Sequence, residues 1–205
     1  MIVRVELPPG AIVREDDLQA RTGIGRTPIR EALQRLERDQ LVTVIPRRGV
    51  MVTPIDVGDL ALLYETRTIL EPYVHRLAAK RGTEQHWATM QTALDRADAL
   101  GDDAPWDELL QADRVCHEQV WAASENRFLT QTLEMLYTQS ERLWHRYVRD
   151  VADLRAALAE HRRILAALRA GDGEGAAELI DGHVRSFESQ TRRVLEDRLR
   201  PPRHP

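Results

Sequence analysis

At 205 residues, the chain is long enough for two small domains or one medium-sized domain with a hydrophobic core. No apolar run approaches the length of about 18 residues that crosses a membrane, and residues 1–10 lack the apolar segment of a signal peptide. The single cysteine, Cys116, excludes an intramolecular disulfide. We therefore expect a cytoplasmic protein that does not span a membrane.

Charge is distributed unevenly along the chain. The net charge is −4 overall, but residues 1–50 contain nine Arg against seven Asp and Glu, and the remainder is acidic. A positive N-terminal segment favours contact with nucleic acid. The excess is modest and does not identify such a segment by itself.

Two short helices are predicted near the start of the chain. The first covers about Glu15–Thr22, with Leu18 as its core anchor, and a glycine-rich turn leads into the second. The second helix has one apolar face, formed by Ile29, Leu33 and Leu36. Its arginines lie elsewhere on the helix, as a major-groove recognition helix requires. An ordinary surface helix with solvated charges is an equal alternative on this pattern alone.

A short β-hairpin is predicted directly after the second helix. Residues 41–45 form a β-branched run, residues 46–49 form a turn with two arginines, and residues 50–53 form a second strand that stops at Pro54. A helix-turn-helix followed by such a hairpin is a winged helix. Its wing can touch phosphates or a groove while the helix reads bases.

Three segments resemble the DNA-binding domain of the GntR superfamily of bacterial transcription regulators. They are Leu7-Pro8-Pro9-Gly10, Arg26-Thr27-Pro28-Ile29-Arg30-Glu31-Ala32-Leu33 and Pro46-Arg47-Arg48-Gly49-Val50. The resemblance implies a winged-helix domain over residues 1–55 that binds DNA. Its implied DNA contacts are Arg26 and Arg30, supported by Thr27 and by Arg48 and Gly49 at the wing tip, with Arg14 and Arg35 as further candidates for phosphate contacts.

The sequence departs from that family in two places. Gly25 stands where the family usually has Ser or Thr, so the recognition helix has no hydroxyl at its cap. Only nine residues precede Gly10, where the family usually has a further helix, and residues 1–7 are expected to be extended. The first helix of the domain is therefore predicted to be missing or shortened.

The remaining chain has helical periodicity throughout. Six helices are predicted, at about residues 57–81, 84–100, 105–123, 126–149, 151–170 and 173–198. Short connections between them imply antiparallel neighbours and hence an all-α bundle over residues 56–198. The proline-rich residues 199–205 are predicted to be a disordered tail.

Four residues of this bundle are candidate metal ligands. Asp113 and His117 share one helix face, and His161 and His183 lie on two later helices. Three imidazoles and one carboxylate suit Zn²⁺ or Ni²⁺, and Mn²⁺ less well. On spacing alone, surface or core histidines are the more common interpretation.

The same residues fall in a pattern that resembles the FadR-like, or FCD, branch of the superfamily over about residues 57–190. The pattern consists of Asp113-x-x-x-His117, Glu160-His161, Gly171-Asp172, Ala176-Ala177 and His183. In metal-binding members of that branch the matching positions are the metal ligands. The resemblance therefore implies this role for Asp113, His117, His161 and His183, and argues against a long acyl chain as the bound ligand.

Two arginines are candidate partners for an acidic effector. Tyr64-Glu65-Thr66-Arg67-Thr68-Ile69-Leu70-Glu71-Pro72 resembles the first effector-domain helix of the branch, in which the residue matching Arg67 points into the cavity. A guanidinium suits a carboxylate ligand. Alternatively, Arg67 and Glu71 form a helix-surface ion pair. Arg142, in the predicted helix at about residues 126–149, is a second candidate. For most charged residues of that helix, an exposed amphipathic face is the favoured interpretation over a position facing the cavity.

Together these features predict a ligand-responsive transcription regulator, and the family resemblance favours a repressor, although the sequence itself leaves repressor or activator open. The winged helix would bind a palindromic double-stranded DNA operator as a homodimer, and the bundle would bind a divalent metal and a small organic acid. One alternative is a helical metalloenzyme that acts on a small carboxylic acid. Another is a DNA-binding protein with a purely structural metal.

Overall fold

The computed structural model describes residues 1–149 and 153–199, and within these ranges it contains eight helices and three strands. The strands are β1 (Ile12–Val13), β2 (Val42–Ile45) and β3 (Gly49–Val52). The helices are α1 (Glu15–Thr22), α2 (Arg26–Arg38), α3 (Asp59–Arg81), α4 (Glu84–Ala99), α5 (Trp106–Ala123), α6 (Arg127–Tyr147), α7 (Leu154–Arg169) and α8 (Gly173–Leu199). One compact unit comprises residues 1–57 and 138–146, and a second comprises residues 58–137 and the described residues from 147 onwards.

The first unit contains a winged helix-turn-helix. Its three strands form an antiparallel sheet in the order β1-β3-β2, with Ile12 opposite Met51 and Val44 opposite Val50. The apolar face of α2 packs on this sheet, and the residues buried there are Ile29, Leu33, Val42 and Val50. The predicted fold class is confirmed here, including the bounds of α1 and the anchoring position of Leu18. The two-residue β1 is too short to show alternation and was not predicted from the sequence.

The expectation that residues 1–7 are extended is wrong. They form turns in which the Val5 amide donates to the Ile2 carbonyl and the Glu6 amide donates to the Met1 carbonyl. Val5 has a positive φ of 58°, and the turns allow Leu7 to be buried and Ile2 to pack on the core. An apolar cavity of about 290 Å³ lies among residues 1–7, α1, α2 and the sheet. In the described part of the chain, α1 is the first helix.

The second unit is helical, as predicted. The observed bounds of α3, α4, α5, α6 and α8 agree with the predicted ones to within two residues. Helix α7 begins at Leu154 and ends one residue before its predicted end, and residues 151–152 of the predicted helix lie outside the described residues. Helix α3 packs against α5 and α8, and α7 packs against α4, α5 and α8. The buried core includes Val74, Met90, Leu94, Val120, Ile164 and Ile180.

Local sequence signals explain several helix ends. The Asp153 side chain accepts a hydrogen bond from the Ala156 amide and caps the start of α7. Gly171, with φ of +70°, allows the tight turn between α7 and α8. Helix α8 extends to Leu199, the first residue of the predicted tail, and residues 200–205 lie outside the described residues. No helix in the described ranges combines the length and apolar character needed to cross a bilayer.

Candidate metal centre and nucleic-acid interface

Three helices of the second unit bring the four predicted metal ligands together. Asp113 and His117 lie one turn apart on α5, His161 lies on α7 and His183 lies on α8. Each side chain is buried, with no more than 3% of its residue surface exposed. One potential ligand atom from each residue lies within 4.8 Å of the others. The second unit therefore contains a buried cluster that could hold a metal ion.

The three imidazoles converge on the Asp113 carboxylate through the same ring nitrogen. The Nε2 atom of His161 lies 2.9 Å from Oδ1, that of His183 lies 3.8 Å from Oδ1, and that of His117 lies 3.8 Å from Oδ2. Ligand atoms about 2.1 Å from a shared ion lie roughly 3 to 4 Å apart. Both ring nitrogens of His117 are buried without a hydrogen-bond partner among the described residues, and Nε2 is the one that faces Asp113. A cation would satisfy that nitrogen, so the residues present fit a divalent metal.

Further polar side chains hold the candidate ligands in place. The Tyr137 hydroxyl donates to Asp113 Oδ2 at 2.7 Å, and His183 Nδ1 donates to Glu160 Oε2 at 2.8 Å. Such outer contacts fix the orientation and the tautomer of a metal-binding histidine. Tyr137 lies on α6 and was not predicted, because no periodicity in the sequence relates it to Asp113. Glu160 was part of the recognised pattern, but its contact with the α8 histidine was not foreseen.

Glu71, on α3, is a second buried carboxylate beside the cluster. Arg67 NH2 donates to its Oε1 at 3.0 Å and Trp121 Nε1 donates to its Oε2 at 3.1 Å. His117 Nδ1 lies 3.5 Å from Oε1, and His75 Nδ1 donates to the Glu71 backbone carbonyl at 2.7 Å. The ion pair between Arg67 and Glu71 therefore exists, but it is buried rather than on the helix surface.

Burial and the two carboxylates determine the protonation of this region. Burial opposes ionisation of Asp113 and Glu71, but the facing histidines outweigh it, and for Glu71 also Arg67, so both pKa values lie well below their usual range. Burial lowers the pKa of His75 and of His117 to about 4, despite the opposing effect of Glu71. Burial also lowers the pKa of His183. Neutral imidazole beside ionised carboxylate is the state that binds a metal.

The residues predicted to contact DNA all lie in the first unit. Those on α2 are Arg26, Thr27, Arg30 and Arg35; Arg14 immediately precedes α1, Arg48 ends the wing turn and Gly49 begins β3. All of them are exposed except Gly49, which is half-buried. Gly49 has φ of +117°, and an added Cβ would lie 2.7 Å from the Val13 carbonyl oxygen. Glycine is therefore required there for the close approach of β1 and β3, whatever its role at the wing tip.

Two acidic residues of α1 pair with the leading DNA-contact candidates. Arg26 NH2 lies 2.8 Å from Asp16 Oδ1, and Arg30 Nε donates to both carboxylate oxygens of Glu15 at 2.8 and 3.0 Å. Sequence reasoning missed these pairs, because they join residues on different helices. Both arginine side chains are about 60% exposed. Exposed pairs of this kind contribute little to stability, so the arginines can exchange them for DNA phosphates or bases.

Arg142 lies in the first unit, whereas Arg67 lies in the second. Its NH2 donates to the Thr53 carbonyl at 2.5 Å and its NH1 donates to Gln139 Oε1 at 2.9 Å. The residue is 1% exposed. These contacts place Arg142 beside the end of the wing, within the first unit.

The comparisons with known proteins agree with both halves of this description. Residues 62–186 match the FCD domain, and residues 1–52 match the family described as bacterial regulatory proteins, gntR family. The chain belongs to the FCD branch of the GntR family. The chain is therefore a DNA-binding transcription regulator, and its family is not one of enzymes.

Relatives of the regulator resemble it along most of its length. It is 28% identical over 197 residues to the Nta operon transcriptional regulator of Aminobacter aminovorans, and the match covers 95% of this chain and 91% of the relative. It is 28% identical over 196 residues to the transcriptional repressor GlaR of Escherichia coli, at 89% and 87% coverage. The solved structure of E. coli McbR/YncC superposes with a TM-score of 0.82 at 23% identity, over 94% of this chain and 92% of that chain. The fold of the two chains is therefore the same.

Proposed function

We propose that the second unit of this regulator binds one divalent cation through Asp113, His117, His161 and His183, and that a small organic acid binds at the same place. The convergence of four buried ligand atoms from three helices within 4.8 Å carries this proposal. Bringing an ionised carboxylate and three imidazoles into the core without a ligand would be costly. A cation offsets that cost by satisfying all four groups.

The ligand set favours a late divalent metal. Three imidazole nitrogens and one carboxylate oxygen suit Zn²⁺ or Ni²⁺. One carboxylate neutralises only half of the charge of such a cation, so the bound ion retains a net positive charge and attracts an anion. Four protein ligands also leave positions at which water or a carboxylate can bind. A small acid is therefore the ligand chemistry that this centre would accept.

Arg67 is the proposed second contact of the acid. Its guanidinium lies one carboxylate away from the metal ligands, because Glu71 Oε1 is 3.0 Å from Arg67 NH2 and 3.5 Å from His117 Nδ1. A guanidinium has five N–H donors in a planar arrangement that suits carboxylates. The acid would share Arg67 with Glu71. Arg142 remains a predicted effector contact for which the observed hydrogen bonds provide no support.

The first unit is the proposed reader of a palindromic operator, bound by a homodimer. Arg26 and Arg30 would read bases or phosphates, with Thr27, Arg48 and Gly49 supporting them and with Arg14 and Arg35 on phosphates. The related GlaR is described as a repressor, and we infer the same sign here. The acid would change the spacing of the two DNA-binding units of the dimer. The factor by which the acid changes the affinity for DNA equals the factor by which bound DNA changes the affinity for the acid.

Metal analysis combined with thermal melts tests this function. We expect near-stoichiometric metal in the purified full chain, and one acid from a panel of small carboxylates that raises the melting temperature only in the metal-loaded form. His161→Ala should lose both effects. His86→Gln is the matched control, because a glutamine retains the capping box with Thr83 outside the cluster. Absence of metal, or acid effects that persist after chelation, would contradict the proposal.

A purely structural metal is the second candidate function for the centre. The near-complete burial of all four ligands favours it, since closed four-ligand sites often serve folding alone. In that case chelation would unfold the second unit, and no acid in the panel would change the melting temperature or the affinity for DNA. The same experiment therefore distinguishes a sensing centre from a structural one.

A further inference from the structure

Glu71 occupies a position between two groups of different function. It is fully buried on α3. The indole N–H of Trp121 donates to Oε2, which fixes the plane of the carboxylate and leaves Oε1 facing both Arg67 and His117. Formation of an ion pair with Arg67 would not require this second anchor or the approach to an imidazole. The position of Glu71 Oε1 therefore indicates a role that involves His117 as well as Arg67.

The proton of neutral His117 can sit on either ring nitrogen. If it sat on Nε2, the lone pair of Nδ1 would face the Glu71 oxygen at 3.5 Å, and two electron-rich atoms would oppose each other inside the core. If it sits on Nδ1, the N–H lies on the side of the ring next to that oxygen, where the 3.5 Å separation is attractive although it makes no hydrogen bond in this structure. On the opposite side of the ring, Asp113 already accepts from Tyr137 and contacts His161, so it competes weakly for the proton.

We propose that Glu71 is a positioning residue for the metal centre, which holds the proton of His117 on Nδ1 so that Nε2 carries the lone pair that faces Asp113, His161 and His183. This inference rests on the proposed metal site. Glu71 does not bind the metal itself, because its carboxylate contacts the far side of the imidazole. It performs for His117 the task that Glu160 performs for His183, whose Nδ1 is 2.8 Å from that carboxylate.

The substitution Glu71→Gln tests this role, with Glu118→Gln as its matched control. Glu118 also accepts from an arginine one helical turn away, Arg114, but this pair is partly exposed and lies outside the cluster. In competition with a chromophoric chelator, Glu71→Gln should weaken Zn²⁺ binding by roughly 10- to 100-fold. Glu118→Gln should leave the dissociation constant unchanged.

Imidazole ¹⁵N spectra of the metal-free full chain report the tautomer of His117, which would not change if Glu71 only packed against the ring. We expect the His117 ring to carry its proton on Nδ1 in the unmodified protein, and to shift towards the Nε2 tautomer in Glu71→Gln. If Glu71→Gln does not fold, Trp121→Phe keeps the carboxylate but removes its anchor. It should shift the same tautomer and weaken Zn²⁺ binding by a smaller factor.

The inference and the proposed function fail in different ways. If the unmodified chain binds no Zn²⁺, the metal proposal is wrong, yet the metal-free spectra still report whether Glu71 sets the His117 tautomer. If the unmodified chain binds Zn²⁺ but folded Glu71→Gln retains the same affinity and tautomer, the positioning role is wrong. An Nε2 proton on His117 in the unmodified, metal-free chain would also overturn it.

Discussion

The two units use the same pair of side chains, arginine and carboxylate, in opposite environments. In the first unit Arg30 pairs with Glu15 while its side chain is 60% exposed, and in the second Arg67 pairs with Glu71 while its side chain is 2% exposed. The exposed pair is weak and exchangeable, which suits a residue that is proposed to leave it for DNA. The buried pair cannot lose one partner without leaving an isolated charge in the core. Burial therefore separates a surface that binds transiently from a centre that must be preorganised.

The largest predicted effect is the loss of metal in Asp113→Asn. Asp113 is the only charged member of the ligand set and faces all three histidines. Because a complete four-ligand site is worth about 10–16 kcal/mol, removing its charged ligand should weaken Zn²⁺ binding by on the order of a hundredfold or more. Chelator competition measures this change. The exposed Asp95→Asn, on α4, is the control and should bind as before. Equal affinities for the two variants would place the metal elsewhere.

The second unit should also lose stability in acid, by a few kcal/mol when metal is absent. His75 and His117 have pKa values of about 4 when folded, against 6.5 ordinarily. Between about pH 6.5 and pH 4 the unfolded chain therefore binds protons that the folded chain does not, so stability is complete above this window and falls as the pH falls through it. Urea unfolding in the presence of a chelator measures the slope. A midpoint that is unchanged from pH 7 to pH 4.5 would contradict the burial of neutral histidines.

Substitutions in the first unit should act most strongly on the affinity for DNA. If Arg30 reads a base, Arg30→Ala costs about 1–3 kcal/mol against an operator selected from random-sequence DNA. Arg185→Ala is the control, because Arg185 is equally exposed and pairs with Asp181 on α8. Fluorescence anisotropy at fixed salt measures both. Unchanged affinity and sequence preference for Arg30→Ala would show that the recognition surface lies elsewhere.

The smallest effect sharpens the comparison between the two pairs. Glu15→Gln releases Arg30 from an exposed ion pair worth roughly 0.2–1 kcal/mol and removes a negative charge beside the expected DNA. Stability should change little, and affinity for non-specific DNA should rise by at most a few-fold. Unfolding midpoints and anisotropy measure the two quantities. A large loss of stability would mean that the exposed pair is structural, like the buried one.

The sequence predicted the helical unit well because its signals are local. Breakers such as Gly171 and caps such as Asp153 lie in the sequence next to the ends that they determine. The candidate ligand set was predicted because Asp113 and His117 share a helix face and because all four positions match the pattern of metal-binding members of the family. The contacts of Tyr137 and Glu71 with this set were not predicted. They join different helices, and no sequence period expresses a distance between helices.

The first unit shows the same limit. The α2 face and the hairpin were predicted from apolar periodicity and turn residues, whereas the turns of residues 1–7 were not. Those turns are determined by the burial of Leu7 and Ile2 against a core assembled from distant strands and helices. The pairing of Arg26 and Arg30 with α1 likewise depends on how two helices pack. Tertiary packing therefore determined both the N-terminal turns and the arginine pairs that the sequence pattern missed.

The most direct test of the central claim is a titration of Zn²⁺ into the metal-stripped full chain, followed by imidazole ¹⁵N spectra. The claim is that the buried cluster of Asp113, His117, His161 and His183 is a metal centre. It predicts binding of one ion per chain, with the Nε2 signals of all three histidines shifting together at that stoichiometry. Absence of binding, or binding that leaves those three signals unchanged, would contradict it.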